Sequence, residues 1–179
     1  MTRLFAIALL FFALPAGPAR ADVLESAAHG FVVKSMVTVA AAPDAAYRAF
    51  ANIGLWWDSE HTYSGDAKNL SLDPKPGGCF CEAMPDGGGI KHLEVVYTSP
   101  GKTIRMAGAL GPLQETGVAG SLTMEFAAAG DSTRIDLTYG AGGFYRGGLD
   151  QLAPIVDSVL HGQLVRLKSY VDAGSPQSE

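Results

Sequence analysis

The sequence predicts an α+β domain, a curved seven-stranded antiparallel sheet closed over one long C-terminal helix, with two short helices after the first strand. Three observations predict it. Seven stretches alternate or carry the apolar, β-branched character of strands. Turn-forming residues punctuate the later ones, so successive strands join as hairpins and pair antiparallel. Only the last apolar segment moves to a spacing of three or four, the period of a helix.

The chain opens with an expected export leader. Arg3 gives the positive start, Leu4 to Leu14 is an unbroken apolar run, and Ala19-Arg20-Ala21 follows Pro15, Gly17 and Pro18 as a small-x-small cleavage pattern. A run this short is below the roughly 20 residues of a membrane-spanning helix, so no span is expected after cleavage. Residues 1–21 are therefore assigned to a secretory signal and the mature protein to the periplasm or the exterior. Removing 21 residues from 179 leaves 158, the size of one domain.

Residues 22–30 read as an N-terminal segment. The first strand starts at Phe31, where Phe31, Val33, Ser35, Val37 and Val39 alternate with Val32, Lys34, Met36 and Thr38. Pro43-Asp44 starts a short helix through Phe50, and Ile53 to Trp57 forms a second, aromatic-rich turn. A polar loop with His61, Tyr63 and Asp66 follows. Strands are expected at 69–73, 79–84, 90–99 and 103–110, then around Leu122-Met124-Phe126 and Ile135-Leu137-Tyr139. Leu149, Leu152, Val156, Val159, Gln163, Leu167 and Tyr170 mark the closing helix. The domain spans 31–172, and 173–179 is a tail. One helix cannot fill so wide a sheet, so a cavity is expected between them.

Composition narrows the partners. Without Arg3 and Arg20, 11 of the 13 basic residues face 18 acidic ones, a formal charge of −7 with no Lys/Arg run. A nucleic-acid groove or an anionic membrane surface needs clustered cations, so neither is expected. No phosphate loop, dinucleotide fingerprint or nucleophile motif is present, and no cofactor is expected.

A resemblance then enters. Ala41 to Phe50, the Trp56-Trp57 pair, Pro-Gly-Gly-Cys-Phe-Cys-Glu at 76–82, Val-Tyr-Thr-Ser-Pro-Gly-Lys-Thr-Ile-Arg-Met at 96–106 and the helix at 154–168 resemble the SRPBCC superfamily of START-type lipid binders, polyketide cyclases and Bet v-like proteins. The chain is most similar to the branch named after the activator of the heat-shock ATPase. The resemblance implies a helix-grip fold with a deep cavity between sheet and helix. It specifies function poorly, since carriers, cyclases and interaction modules share the fold.

On this reading the ligand-binding candidates are Trp56, Trp57, His61, Tyr63, Phe80, Glu82, Met106 and Leu113. One of the two tryptophans is expected in the core and the other at the cavity mouth, where a flat amphipathic ring grips ligand. His61 and Tyr63 lie two apart on a loop that could orient a ligand. Phe80 faces the cavity in the resembled motif, and Glu82 shares its parity. A carboxyl in such a pocket is expected to have a raised pKa. His92 and Glu94 share a face, but Leu93, Val95 and Tyr97 form the more apolar side, so His92 and Glu94 are expected to point outward.

Cys79 and Cys81 share a strand face at about 6.6 Å, the upper limit for a bridge. Two buried thiols, a strained disulfide or half of a soft-metal site all remain open. A lone Cys-x-Cys is weak for a metal, and none is assigned. The loop Gly111–Gly117 is expected to cover one end of the cavity with Leu113 and to move.

The preferred reading of function is an exported protein that binds a hydrophobic small molecule or lipid, not an enzyme. The alternatives are a cyclase, hydratase or isomerase using Glu82 with His61 or His92, and a protein-interaction module like the ATPase-activator branch.

Overall fold

Alternation along Gly30–Val39 (β2) is strict, with every second side chain buried from Phe31 to Val39. In the computed structural model, which describes residues 19–176, β2 lies beside Arg20–Ala27 (β1) and Ser132–Phe144 (β8). Residues 1–18 of the expected leader and 177–179 of the tail lie outside the described residues. After β2 come the helix Pro43–Ala51 (α1) and the short strands Leu70–Leu72 (β3) and Cys79–Ala83 (β4). Gly89–Ser99 (β5), Thr103–Ala107 (β6), Gly117–Ala129 (β7) and β8 then lead to Ala153–Ala173 (α2). The sheet order is β1-β2-β8-β7-β6-β5-β4-β3, antiparallel throughout.

The sheet thus has eight strands, not the seven expected. The added strand is β1, in the segment read as an N-terminal extension. A register shift between Val23 and Glu25 breaks its parity, and Val23 and Leu24 are both exposed. A bulged edge strand with no buried stripe carries no period-two signal.

Helix α2 runs alongside β2. His161 Nδ1 meets Ser35 Oγ at 2.7 Å, the Lys168 ammonium donates to the Thr38 carbonyl at 2.7 Å, and Asp172 accepts from the Ala40 amide at 2.7 Å. Ala153, Leu160, Gln163, Leu164 and Leu167 are its buried residues, so the stripe shifts partway from the one expected. Gly174 ends the helix at φ 76°, the left-handed conformation glycine adopts at little cost.

Placing the helix over one side of the sheet decides where the cavity lies. Eight strands at about 4.8 Å spacing give a width of about 34 Å, whereas a helix covers about 10 Å. Beneath α2 and α1 the core closes around Val37, Phe50, Trp56, Met124, Ile135 and Leu164. Toward β4 and β5 the first turns of α2 leave the sheet uncovered at one end. There the site opens.

Candidate functional site: a cleft at the open end of the sheet

Two bulges in β5 set which side chains reach this site. Phe80 pairs with Leu93 but Cys81 pairs with Lys91, so His92 is the extra residue, and both His92 and Leu93 are buried. A second shift between Val95 and Tyr97 turns Tyr97 outward, 48% exposed, with the Arg105 guanidinium 5.7 Å from its ring centre. Uniform alternation therefore fails twice. His92 points inward, against expectation, and Tyr97 leaves the apolar side. Glu94 stays on the outer face, paired with Lys91 at 2.9 Å.

The cleft occupies about 570 Å³. Trp57, Thr62 and Tyr63 come from the loop after α1, Phe80 and His92 from the strands, Leu113 from a turn of 3₁₀ helix at Gly111–Glu115, and Val156, Val159 and Leu160 from α2. Four rings run along its wall in contact. Trp57 meets Phe80 edge-on at 5.5 Å, Phe80 lies 4.8 Å from His92, and His92 lies 6.0 Å from Tyr63. Rings so arranged gain somewhat more than their burial alone supplies.

The other candidates divide by depth. Trp56 is in the core at 2% exposure, its indole N–H donating to the Phe50 carbonyl at 3.2 Å. Trp57 lies on the cleft wall and donates to the His61 carbonyl at 3.0 Å. Met106 does not reach the cleft. It borders a small apolar void of about 20 Å³, shared with Trp56, Leu122 and Leu164. A void this small with apolar walls stays dry. Leu113 is buried and on the cleft wall, in a 3₁₀ turn closed by Thr116 Oγ1 on the Leu113 carbonyl at 2.6 Å. Buried Tyr139 braces the approach to that turn, accepting from the Leu110 amide at 3.2 Å and donating to the Gly108 carbonyl at 3.4 Å.

His61 is anchored from α2. Gln163, itself buried, accepts from the Asp58 amide at 2.9 Å and meets His61 Nδ1 at 3.1 Å. Tyr63 is 45% exposed at the rim. Its phenol is pushed up by burial, then by the negative charges of Glu115 and Glu82.

Glu82 sits behind the wall, 1% exposed, and is not itself a lining residue. One carboxylate oxygen accepts from the Ser64 amide, the other lies 2.9 Å from His92 Nε2. Burial pushes the carboxyl up, but hydrogen bonds from Ser64, Tyr63 and His92 together outweigh it and hold the pKa below the ordinary value. This reverses the raised pKa expected of an acid in an apolar pocket, because the pocket supplies donors. An ionised carboxylate only accepts, so Nε2 carries the proton it receives and Nδ1 of a neutral His92 keeps its lone pair.

Cys79 and Cys81 are joined by a disulfide with α carbons 5.3 Å apart. That is shorter than a regular strand allows, and a register shift in the pairing with β5 falls between Phe80 and Cys81. The same bulge turns His92 inward. Among the described residues no group of three or more His, Cys, Asp or Glu is placed to hold a metal, and no helix is long and apolar enough to cross a membrane.

The sequence missed His92 as a wall residue, along with Leu152, Ile155 and Tyr145. Ile155 carried a signal, being a large apolar residue off the stripe of Leu152, Val156 and Val159, and it is 59% exposed in the first turn of α2.

No protein-family model matches the chain, and no curated protein does. Solved structures do. A conserved protein of unknown function, EF2215 from Enterococcus faecalis, is 11% identical with a TM-score of 0.60, covering 90% of this chain and 82% of its own. Mll3558 from Rhizobium loti is 21% identical, TM-score 0.56, over 86% and 99%. The Aha1 dimer from Colwellia psychrerythraea is 17% identical, TM-score 0.51, over 80% and 97%. These likenesses establish the fold. The architecture is helix-grip-like, and identities this low carry nothing further.

Proposed function

We propose that the protein is an exported carrier that holds a hydrophobic small molecule or lipid in the cleft between the open end of the sheet and α2. The observation that carries the reading is the cleft itself, with its volume and its wall of Trp57, Phe80, Leu113, Val156 and Val159. About 570 Å³ falls inside the range of roughly 300–1,000 Å³ usual for small-molecule sites. A few polar groups converge on it, as specific binding requires, namely His61, Thr62, Tyr63 and His92. Export rests on the N-terminal leader pattern. The test is organic extraction of the purified protein followed by mass spectrometry, together with binding of apolar dyes. A co-purified apolar compound or saturable dye binding is expected; reproducible absence of both would overturn the reading.

One observation favours a second reading. The Glu82–His92 pair places an oriented imidazole on the wall of an apolar cleft, an arrangement suited to general-base chemistry on a bound ligand. If this is the function, His92→Gln abolishes turnover of the natural ligand while binding survives. Under the carrier reading the extracted ligand is chemically unchanged after prolonged incubation with the wild-type protein.

A further inference from the structure

The carrier reading leaves open what head group the ligand carries, and the charges around the cleft bear on it. Among the described residues that line the cleft there is no lysine or arginine, whereas Glu60 and Glu115 both line it. Both are exposed, in the short turns Ser59–His61 and Gly111–Glu115. Glu82, ionised and buried, lies one side chain behind His92. The field of two of these carboxylates registers on the wall itself, since Glu115 and Glu82 both disfavour ionisation of Tyr63.

Two nearby cations are engaged elsewhere, and Arg146, exposed beside the wall residue Tyr145, does not itself line the cleft. Lys91 pairs with Glu94 on the outer face at 2.9 Å, and Arg166 donates to the Trp56 carbonyl at 3.1 Å. The opposing influence is the amino end of α2, which starts beside Leu152 and Ile155 on the wall. A helix end is equivalent to about half a positive charge. Two full carboxylates on the wall and a third behind it exceed that. Trp57, Tyr63 and Tyr145 add faces that attract a cation at about 6 Å and offer nothing to an anion.

Resting on the carrier reading, we propose that the ligand is an amphiphile with an apolar tail and a cationic head, an amine or quaternary ammonium, and that the cleft discriminates against carboxylate amphiphiles of the same tail. The tail lies along Phe80, Leu113, Val156 and Val159. The head sits at the rim between Glu60, Tyr63 and Glu115.

The experiment is a titration at mildly alkaline pH and low salt with three probes of one tail length, all below their micelle-forming concentrations. They are dodecyltrimethylammonium, dodecyl maltoside and dodecanoate. The ammonium compound is expected to bind about tenfold or more tightly than dodecanoate, with the maltoside between. Raising the salt narrows the gap. Glu60→Gln/Glu115→Gln, checked for folding by its thermal melt, brings the ammonium-to-carboxylate ratio to within about threefold. As a control, Glu125→Gln/Asp131→Asn removes two exposed acids away from the cleft and leaves the ratio unchanged. Dodecanoate binding as tightly as the ammonium probe overturns the proposal. So does a control variant that narrows the ratio as much, because the preference would then follow net charge. If none of the three probes binds, the carrier reading itself fails.

Discussion

His92 donates from Nε2 to the Glu82 carboxylate across 2.9 Å, in a position where neither side chain is more than 6% exposed. The bond links the cleft wall to the layer behind it, and the bulge in β5 is what brings His92 into reach. Removing the carboxylate leaves the His92 N–H and the Ser64 amide without their acceptor. Glu82→Ala is therefore expected to cost about 3 kcal/mol, and Glu82→Gln, which can still accept, distinctly less. Urea unfolding of the two variants measures the difference. Equal losses would show that volume rather than hydrogen bonding matters here.

The depressed pKa of Glu82 sets a pH dependence. A carboxyl more acidic in the folded than in the unfolded chain adds stability above the ordinary carboxylate pKa. That contribution is lost as pH falls through the lower folded value. Thermal melts should show a loss of stability on the acid side that is shallower in Glu82→Gln. An identical acid limb in both proteins would remove Glu82 from the account.

Asp157 behaves in the opposite sense. Its Oδ1 is buried without a hydrogen bond, and burial raises its pKa, with His161 lowering it and Asp22 raising it further. A carboxyl with a raised folded pKa opposes folding when ionised, and this penalty disappears as pH falls below the unfolded value. Asp157→Asn is expected to raise the melting temperature at neutral pH and to change it little in acid. A lower melting temperature at neutral pH would mean that the carboxylate is stabilising.

The Cys79–Cys81 bridge closes a very small loop. A three-residue ring is worth about 1.6 kcal/mol in chain entropy. Cys79→Ser/Cys81→Ser should therefore lower stability by less than about 2 kcal/mol. The larger effect is expected at His92, since β4 is freed to straighten beside the bulge. Imidazole NMR signals of His92 should shift between the oxidised protein and the variant, while those of His29, distant on the β1–β2 turn, stay put. Unchanged His92 signals would uncouple bridge and cleft.

Much of the fold was legible because its elements obey one period. β2 and β7 alternate cleanly, β8 does so except at buried Asp136, and α2 shifts to helical spacing. The failures sit where the backbone departs from a period. β1 carries a bulge and no buried stripe, so nothing in its sequence marks it as a strand. At β5 one extra residue at His92 and another near Val96 invert the parity, which sent His92 outward and Tyr97 inward in the reading from sequence. The cleft's aromatic and loop residues could be named because they cluster locally, as Trp57, His61 and Tyr63 do. Which tryptophan lines the cleft, and that Met106 lies below it, depends on where α2 stops covering the sheet. That is a three-dimensional fact without a local signature.

Leu113 and Trp56 separate cleft from core. Trp56→Ala removes a fully buried ring and is expected to cost about 3–5 kcal/mol. Leu113→Ala is expected to lower both dye affinity and stability, because Leu113 is at once 3% exposed and on the wall. Replacing exposed Ile155 by Ser should weaken dye binding with little change in melting temperature. A large stability loss at Ile155 would place it in the core instead.

Backbone chemical-shift mapping tests the central claim most directly. The ¹⁵N-labelled protein is titrated with an apolar ligand, either the extracted compound or the tightest-binding dodecyl probe. Saturable shifts are predicted at the Trp57 indole, Tyr63, His92, Leu113 and Val159, with Trp56 and the outer strand positions Gly140 and Gly142 little affected. Shifts gathered around Gly140 and Gly142, or spread over the surface without saturating, would contradict a ligand site in the cleft.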